Sequence, residues 1–364
     1  MALLARSAGK ILHHLLTENY SDGDNMKKLE ITKKLEDLRD RLFDEKFVAV
    51  LNLPGPNYCE KRAELSARDG VVQQSCKGCV TQGLGVTGVM PDNQIRQAID
   101  YFAENYDTQF VTVNGRGDPL HPNVRGQTFL KLQYGRAKGM QGYIFSAGNN
   151  LDYYVCKLLA DNEVNIMLSL FGNRFIDADF FSGKEYPSAE GRMQDQATIA
   201  ENIRNLLGTY KEYEKRGLWQ TQPEAGTTRI GMNYPVQESD LKDRRKLSEL
   251  KQAANENGVF FVCNTEFVPH ADSEIQRQLR ELAYGFTDFH ISHSTGVDGQ
   301  CQMGAGSSAT VDYNGTLYRC PYMSGPGEGN FFSADDNQRR KILTGYLKDR
   351  EYACVMRKTP LVVR

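Results

Sequence analysis

FVTVNGRGDPLHP, residues 110–122, decides how the rest of the chain is read. Its first half is a run of β-branched and aromatic residues of strand length. Its second half ends that strand with two glycines, an acid and two prolines. Glycine admits close approaches that a Cβ forbids, and proline stiffens the exit. A strand end of this composition serves either as a plain turn into a helix or as a place where a ligand meets bare backbone.

Working outward from this stretch, the same unit repeats. Apolar runs FVAVLNL (47–53), FVTVN (110–114), GYIFSAG (142–148), VNIMLSLFG (164–172), RIGMNYPV (229–236) and VFFVCNTEF (259–267) alternate with helical stretches such as DNQIRQAIDYFAENY and DYYVCKLLADN. Strand and helix in alternation, six times over, specify an α/β fold with a parallel sheet covered by helices. The unusual residues collect at the C-terminal ends of the runs. Cys59 follows the first, GRGDP the second, Ser146 and Asn149 the third, Ser169 the fourth and Asn233 the fifth. In a barrel-like α/β fold, that rim is where ligands bind.

The flanks have a different texture. Residues 1–45 read as an N-terminal helical segment, highly charged from residue 22 onward. The first seventeen residues lack acids, which suits an amphipathic helix and also loosely resembles a transit sequence. After residue 290 the chain becomes rich in Gly and Ser, with a strand–turn–strand signal at TVDYNGTLYRC and Asn314-Gly315 at its turn. Residues 291–364 are therefore expected to form a small separate module, closed by a charged helix near 335–350.

With 44 basic against 46 acidic residues, the chain has no basic surplus to attract nucleic acid or an anionic membrane. No stretch approaches the roughly 18 uncharged apolar residues of a membrane helix. A soluble, cytoplasmic protein is expected. Its eight cysteines are not laid out as a secreted disulfide framework. Cys59, sixteen residues, Cys76, two residues and Cys79 crowd into one loop, where three thiolates can grip a metal centre and leave a coordination position open.

A first strand followed by Cys and CxxC, and a second followed by NGRGDPLHP, resembles the radical S-adenosylmethionine (SAM) enzymes. The resemblance implies a partial (β/α)6 TIM-type barrel over residues 46–290. It implies that Cys59, Cys76 and Cys79 hold a [4Fe–4S] cluster, and that Gly115, Gly117, Asp118 and Pro119 form the turn that recognises the methionyl amino group, with Asp118 accepting from the ammonium. Ser146 with Asn149 would lie near the ribose, and Ser169 and Asn233 at ribose or carboxylate contacts; a turn cap is the plain alternative for each. This sequence departs from the pattern in two places. The excursion 60–75 lengthens the first cysteine spacing, as a loop over the site or a solvated helix, and Gly78 stands where the family places an aromatic against adenine, leaving Tyr58 as a candidate.

Beyond residue 290, Cys301, thirteen residues, Gly315, four residues and Cys320 resemble the opening of a Twitch or SPASM extension. With Cys354 these would hold an auxiliary iron–sulfur cluster. Cys263 is read as core or as the catalytic thiol that gives a hydrogen atom to a substrate radical, and Cys156 as core. His121 reads as a local contact, and His270, His290 and His293 as solvated or capping residues.

By resemblance, an electron donor such as flavodoxin or ferredoxin reduces the cluster and SAM is cleaved to a 5′-deoxyadenosyl radical. That radical takes hydrogen from an unactivated C–H bond, giving oxidation, epimerisation or rearrangement. The substrate expected is a small biosynthetic molecule such as a sugar, cyclitol or nucleoside, with a ribosomal peptide or protein as the alternative. Two other readings stay open: a zinc-binding structural protein using Cys76, Cys79, Cys301 and Cys320, and a protein that binds SAM for regulation.

Overall fold

The computed structural model describes residues 48–59, 86–169, 181, 192–221, 228–265, 274–288, 308–323 and 326–348, all within one compact unit, Lys46–Arg364. The segments 1–45 and 60–75, Cys76, Cys79, Cys301 and Cys354, and His270, His290 and His293, lie outside the described residues.

All six expected strands form: β1 (Val50–Asn52), β2 (Phe110–Thr112), β3 (Gln141–Ser146), β4 (Asn165–Ser169), β5 (Ile230–Val236) and β6 (Phe260–Thr265). They run parallel in the order β6-β5-β4-β3-β2-β1, as strands joined by helices must. The helices are α1 (Asp92–Asn105), α2 (Arg125–Ala137), α3 (Tyr153–Asp161), α4 (Arg192–Lys215), α5 (Glu238–Lys242), α6 (Arg245–Glu256) and α7 (Glu274–Phe286). Pro91 stands at the N-cap of α1, and Ile95, Ala98, Ile99 and Phe102 recur at helical spacing to bury one stripe. Each of the larger of these side chains contributes about 1.5–3 kcal/mol by leaving water. Asp152 caps α3 by accepting from the Val155 N–H at 2.8 Å.

Beyond the expected barrel, β7 (Ser308–Val311) pairs in parallel with β1, and β8 (Leu317–Tyr318) pairs antiparallel with β7. The turn between them is the one expected at Asn314-Gly315: Gly315 adopts φ +84 and its N–H donates to Asp312 O at 2.8 Å. A helix, α8 (Asp336–Lys348), follows. The hairpin of the C-terminal region is thus hydrogen-bonded into the barrel sheet itself.

Strand register assigns the two faces. Directly paired residues of parallel neighbours share a face, so Ile144, Ile166 and Ile230 form one row, Ser146, Leu168, Met232 and Phe261 a second, and Tyr234 and Cys263 a third. The apolar members of these rows pack with Leu247, Leu250, Leu279 and Leu282 of the covering helices. The alternate residues form the inner face: Asn52, Thr112, Tyr143 and Asn165; then Phe145, Met167, Gly231 and Phe260; then Ser169, Asn233 and Val262; then Pro235 and Asn264.

The end of the sheet opposite the ligand rim is closed by charge. Glu163, just before β4, holds φ +53 and is buried. It accepts from Arg136 at 2.6 Å, from the N–H groups of Gln220 and Thr221 at 3.0 and 2.9 Å, and from Arg229 at 3.3 Å. Burial pushes its carboxyl up, but the Thr221 hydroxyl, these backbone N–H groups and Arg136 outweigh burial and leave it below the usual carboxylate range.

Candidate functional site at the C-terminal rim

The turn after β2 is gripped from both sides. Gly117 adopts φ +61, and a Cβ there would lie 2.1 Å from the carbonyl oxygen of Tyr58. Gly115 adopts φ +99, and a Cβ there would lie 2.4 Å from Pro321 Cβ and 2.7 Å from its carbonyl oxygen. The glycines therefore admit the protein's own backbone: the residue before Cys59 on one side and the residue after Cys320 on the other. The Asp118 N–H donates to Tyr58 O at 2.6 Å. The Thr128 hydroxyl of α2 donates to Pro119 O at 2.7 Å, which fixes the exit.

Asp118 is 3% exposed, and its carboxylate is used inside the protein. Oδ1 accepts from the Leu120 N–H at 2.9 Å and Oδ2 from the Ala147 N–H at 2.9 Å, while the Ser146 hydroxyl reaches both oxygens at 3.2 and 3.1 Å. The sequence expectation has this acid taking an ammonium. The structure shows this carboxylate bracing the turn against the end of β3.

Ser146 and Asn149 meet at the same place. The Gly148 N–H donates to Ser146 Oγ at 3.1 Å, and Asn202 of α4 donates to the carbonyls of Gly148 and Asn149, each at 2.9 Å. Asn149 Oδ1 is buried without a partner, an acceptor left open at this strand end. Ser169 and Asn233 pair across β4 and β5 on the inner face, and Asn264 donates to Asn233 Oδ1. Below them Phe145, Met167 and Phe260 form an apolar floor, with the Phe260 ring lying over Gly231.

Of the cysteines, Cys59 is half-buried just past β1, and Cys320 is buried just past β8. Among the described residues no three His, Cys, Asp or Glu side chains converge on one point. The residues present nevertheless fit a SAM-bound cluster: a thiol follows Tyr58, which is bonded to the turn, and an orphaned acceptor lies past the end of β3. Cys263 requires a correction. It is 1% exposed, and it shares its row with Tyr234 on the helix-facing side of the sheet, because alternation along β6 points Val262 and Asn264 inward. Burial pushes its thiol far up, as it pushes that of Cys156 up to about 12. Both are core residues in this fold, and neither faces the inner site.

Sequence reasoning passes over several residues that the structure brings here. Asn52 Oδ1 accepts from the Thr112 hydroxyl at 2.6 Å and the Asn114 N–H at 3.0 Å, and Asn114 Oδ1 accepts from the Phe145 N–H at 2.8 Å, which laces the ends of β1, β2 and β3 together. A polar side chain inside an apolar strand run is the signal that could have found Asn52. Arg116 pairs with Asp312, and Lys131 of α2 donates to the carbonyls of Leu53 and Pro54 at 3.1 and 3.2 Å. Full burial pulls the Lys131 amine down to about 7, against a smaller upward pull from Asp312. Tyr58 stacks on His121 with ring centroids 5.3 Å apart.

No family model and no curated protein matches the sequence. Solved structures do match the fold. Native anSMEcpe with bound AdoMet aligns at TM-score 0.50 and 11% identity, over 79% of this chain and 79% of that one. The same native anSMEcpe with bound AdoMet and the Cp18Cys peptide gives TM-score 0.50 and 11% identity, over 80% and 79%. Streptococcus suis SuiB bound to S-adenosylmethionine gives TM-score 0.50 and 13% identity, over 94% and 75%. These neighbours are radical SAM enzymes, and at such identities the likeness is one of fold.

Proposed function

We propose that this chain, whose fold is that of the radical SAM enzymes, is itself such an enzyme and acts on a peptide or protein. The observation that carries the reading is the joint at the rim, where the Asp118 N–H bonds Tyr58 O and sets the GRGDP turn directly against the segment bearing Cys59. Cys59, Cys76 and Cys79 would hold a [4Fe–4S] cluster. Cluster and SAM, when bound and given an electron by a donor of the flavodoxin or ferredoxin class, supply a 5′-deoxyadenosyl radical that takes hydrogen from an unactivated C–H bond.

The chain's own residues do the rest. The turn 115–119 offers backbone to the methionyl end of SAM, stiffened by the Asp118 brace. The open Oδ1 of Asn149 serves the ribose, with Ser146 holding that strand end through Asp118 and the Gly148 N–H, and Ser169, Asn233 and Asn264 offer uncharged hydrogen-bonding groups above the floor of Phe145, Met167 and Phe260, which excludes water. Residues 291–364 act as a Twitch- or SPASM-like module, with Cys301, Cys320 and Cys354 as ligands of an auxiliary cluster. A peptide substrate draws support from the neighbour whose structure holds both AdoMet and the Cp18Cys peptide. The comparisons lend the small-molecule expectation no such support.

The test is to purify the protein without oxygen, reconstitute it with iron and sulfide, and count both in wild type and in a Cys59/Cys76/Cys79 triple Ala variant. About eight irons falling to about four, with 5′-deoxyadenosine formed from SAM under reduction only in wild type, is expected. Stoichiometric zinc without labile sulfide overturns the reading in favour of a structural zinc protein. A mixed peptide library should raise 5′-deoxyadenosine formation where a panel of sugars and nucleosides does not; the reverse returns the substrate to small molecules.

A further inference from the structure

Between its two glycines the turn carries Arg116, which leaves the turn to make a buried ion pair. Its Nη1 lies 2.8 Å from both carboxylate oxygens of Asp312, and its Nη2 donates to the carbonyl oxygen of Met323 at 3.1 Å. The two side chains are 2% and 6% exposed. Asp312 opens the turn between β7 and β8, and Met323 lies three residues past Cys320, so both partners of Arg116 flank the segment that delivers this cysteine. That segment also supplies Pro321, which presses on Gly115. On its other side the same turn is bonded to Tyr58, next to Cys59.

A five-residue turn is thus held between two cysteine-bearing segments, and among the described residues it is linked to the Cys320 side by an ion pair that water does not reach. A pair so placed has little give, because removing one partner strands the other charge in a dry site. A planar guanidinium held by Asp312 at Nη1 and by Met323 O at Nη2 also fixes direction as well as distance. An ion pair that only added stability could sit anywhere on this interface; this one originates inside the turn.

We infer that Arg116 is a positioning residue that couples the SAM turn to the Cys320 segment, so that affinity for SAM depends on how that segment is held. The inference rests on the function proposed above. Its test measures binding rather than turnover: the dissociation constant of radiolabelled SAM, by equilibrium dialysis on the reconstituted full chain, in wild type, Asp312→Asn, Cys320→Ala and the double variant. Iron counts on the same samples check that the cluster of the Cys59 set is retained.

Each single variant is expected to weaken SAM binding by about tenfold or more. The double should be no weaker than the worse single, because both break one linkage. The SAM-induced change in the spectrum of the reduced cluster should require correspondingly more SAM. Unchanged affinity in Asp312→Asn, or losses that simply multiply in the double, overturns the inference while leaving the radical SAM reading intact. Wild-type protein that loads iron and yet binds no SAM overturns that reading, and the coupling with it. If Asp312→Asn does not fold, Arg116→Lys takes its place: it keeps the charge opposite Asp312 and gives up the reach to Met323 O. A severalfold loss of affinity in Arg116→Lys supports the coupling, and wild-type affinity overturns it.

Discussion

Replacing Gly117 with Ala should cost far more than the same change at Gly139, although both glycines have positive φ, at +61 and +85. At Gly139 a Cβ meets nothing within 4 Å, so Gly139→Ala carries only the left-handed backbone penalty, roughly 1 kcal/mol. At Gly117 the new methyl would lie 2.1 Å from Tyr58 O and 2.7 Å from Tyr58 N, so about 1 Å of backbone displacement is needed to restore contact distance. Overpacking of this kind costs about 1–3 kcal/mol, and the Asp118 N–H to Tyr58 O bond, worth about 1 kcal/mol, is lost with it. The sum for Gly117→Ala is roughly 3–5 kcal/mol. A domain stable by about 10 kcal/mol, the middle of the usual range, survives that, with the strain concentrated next to Cys59. The assay pairs urea unfolding of the two apo variants with iron loading and SAM binding after reconstitution. Gly117→Ala should lose several kcal/mol and most of its SAM affinity, whereas Gly139→Ala loses about 1 kcal/mol and keeps both ligands. Equal unfolding midpoints and equal SAM binding in the two variants would refute the argument that the glycine exists for Tyr58.

Glu163→Gln should destabilise the chain by about 3 kcal/mol at pH 7, since it leaves Arg229 buried beside a neutral partner. The native carboxyl titrates below its unfolded value of 4.5, so its contribution is present above that pH and lost as pH falls through the lower native value; the advantage of wild type over the variant in urea melts should shrink steadily as pH is taken below 4.5. Lys131→Met removes an amine whose native value of about 7 lies under its unfolded 10.5. Between those values the unfolded chain binds the extra proton, so the stability of wild type relative to the variant should rise as pH is taken from 7 to 10, and a flat difference contradicts the burial argument. Cys263→Ala should cost about 1 kcal/mol of packing and leave reductive SAM cleavage and peptide turnover at wild-type rates; loss of turnover in a folded protein would restore the thiol-donor role. Asn264→Leu removes the donor to Asn233 on the inner face, and is expected to lower turnover at least tenfold while apo stability changes by under about 1.5 kcal/mol.

By itself the sequence determined the strands, most helices, the hairpin at Asn314-Gly315 and the rim on which the chemistry-bearing residues gather. These depend on short-range physics. Strand runs, helical stripes and turn residues act over a few positions, and the alternation of strand with helix leaves parallel pairing as the outcome. The glycines of GRGDP were legible as a close approach for the same reason, although what approaches was not. Tertiary structure alone decided that Tyr58 and Pro321 fill those spaces, and that the Asp118 carboxylate turns inward to Ser146 and Ala147. It also decided that Cys263 faces the helices: one residue of register reverses every side chain of a strand, and register is set by neighbours far away in the chain. The Arg116–Asp312 pair spans 196 positions and joins two turns, each of which looks locally complete. Such a contact depends on how β7 docks beside β1, and no local pattern encodes that docking.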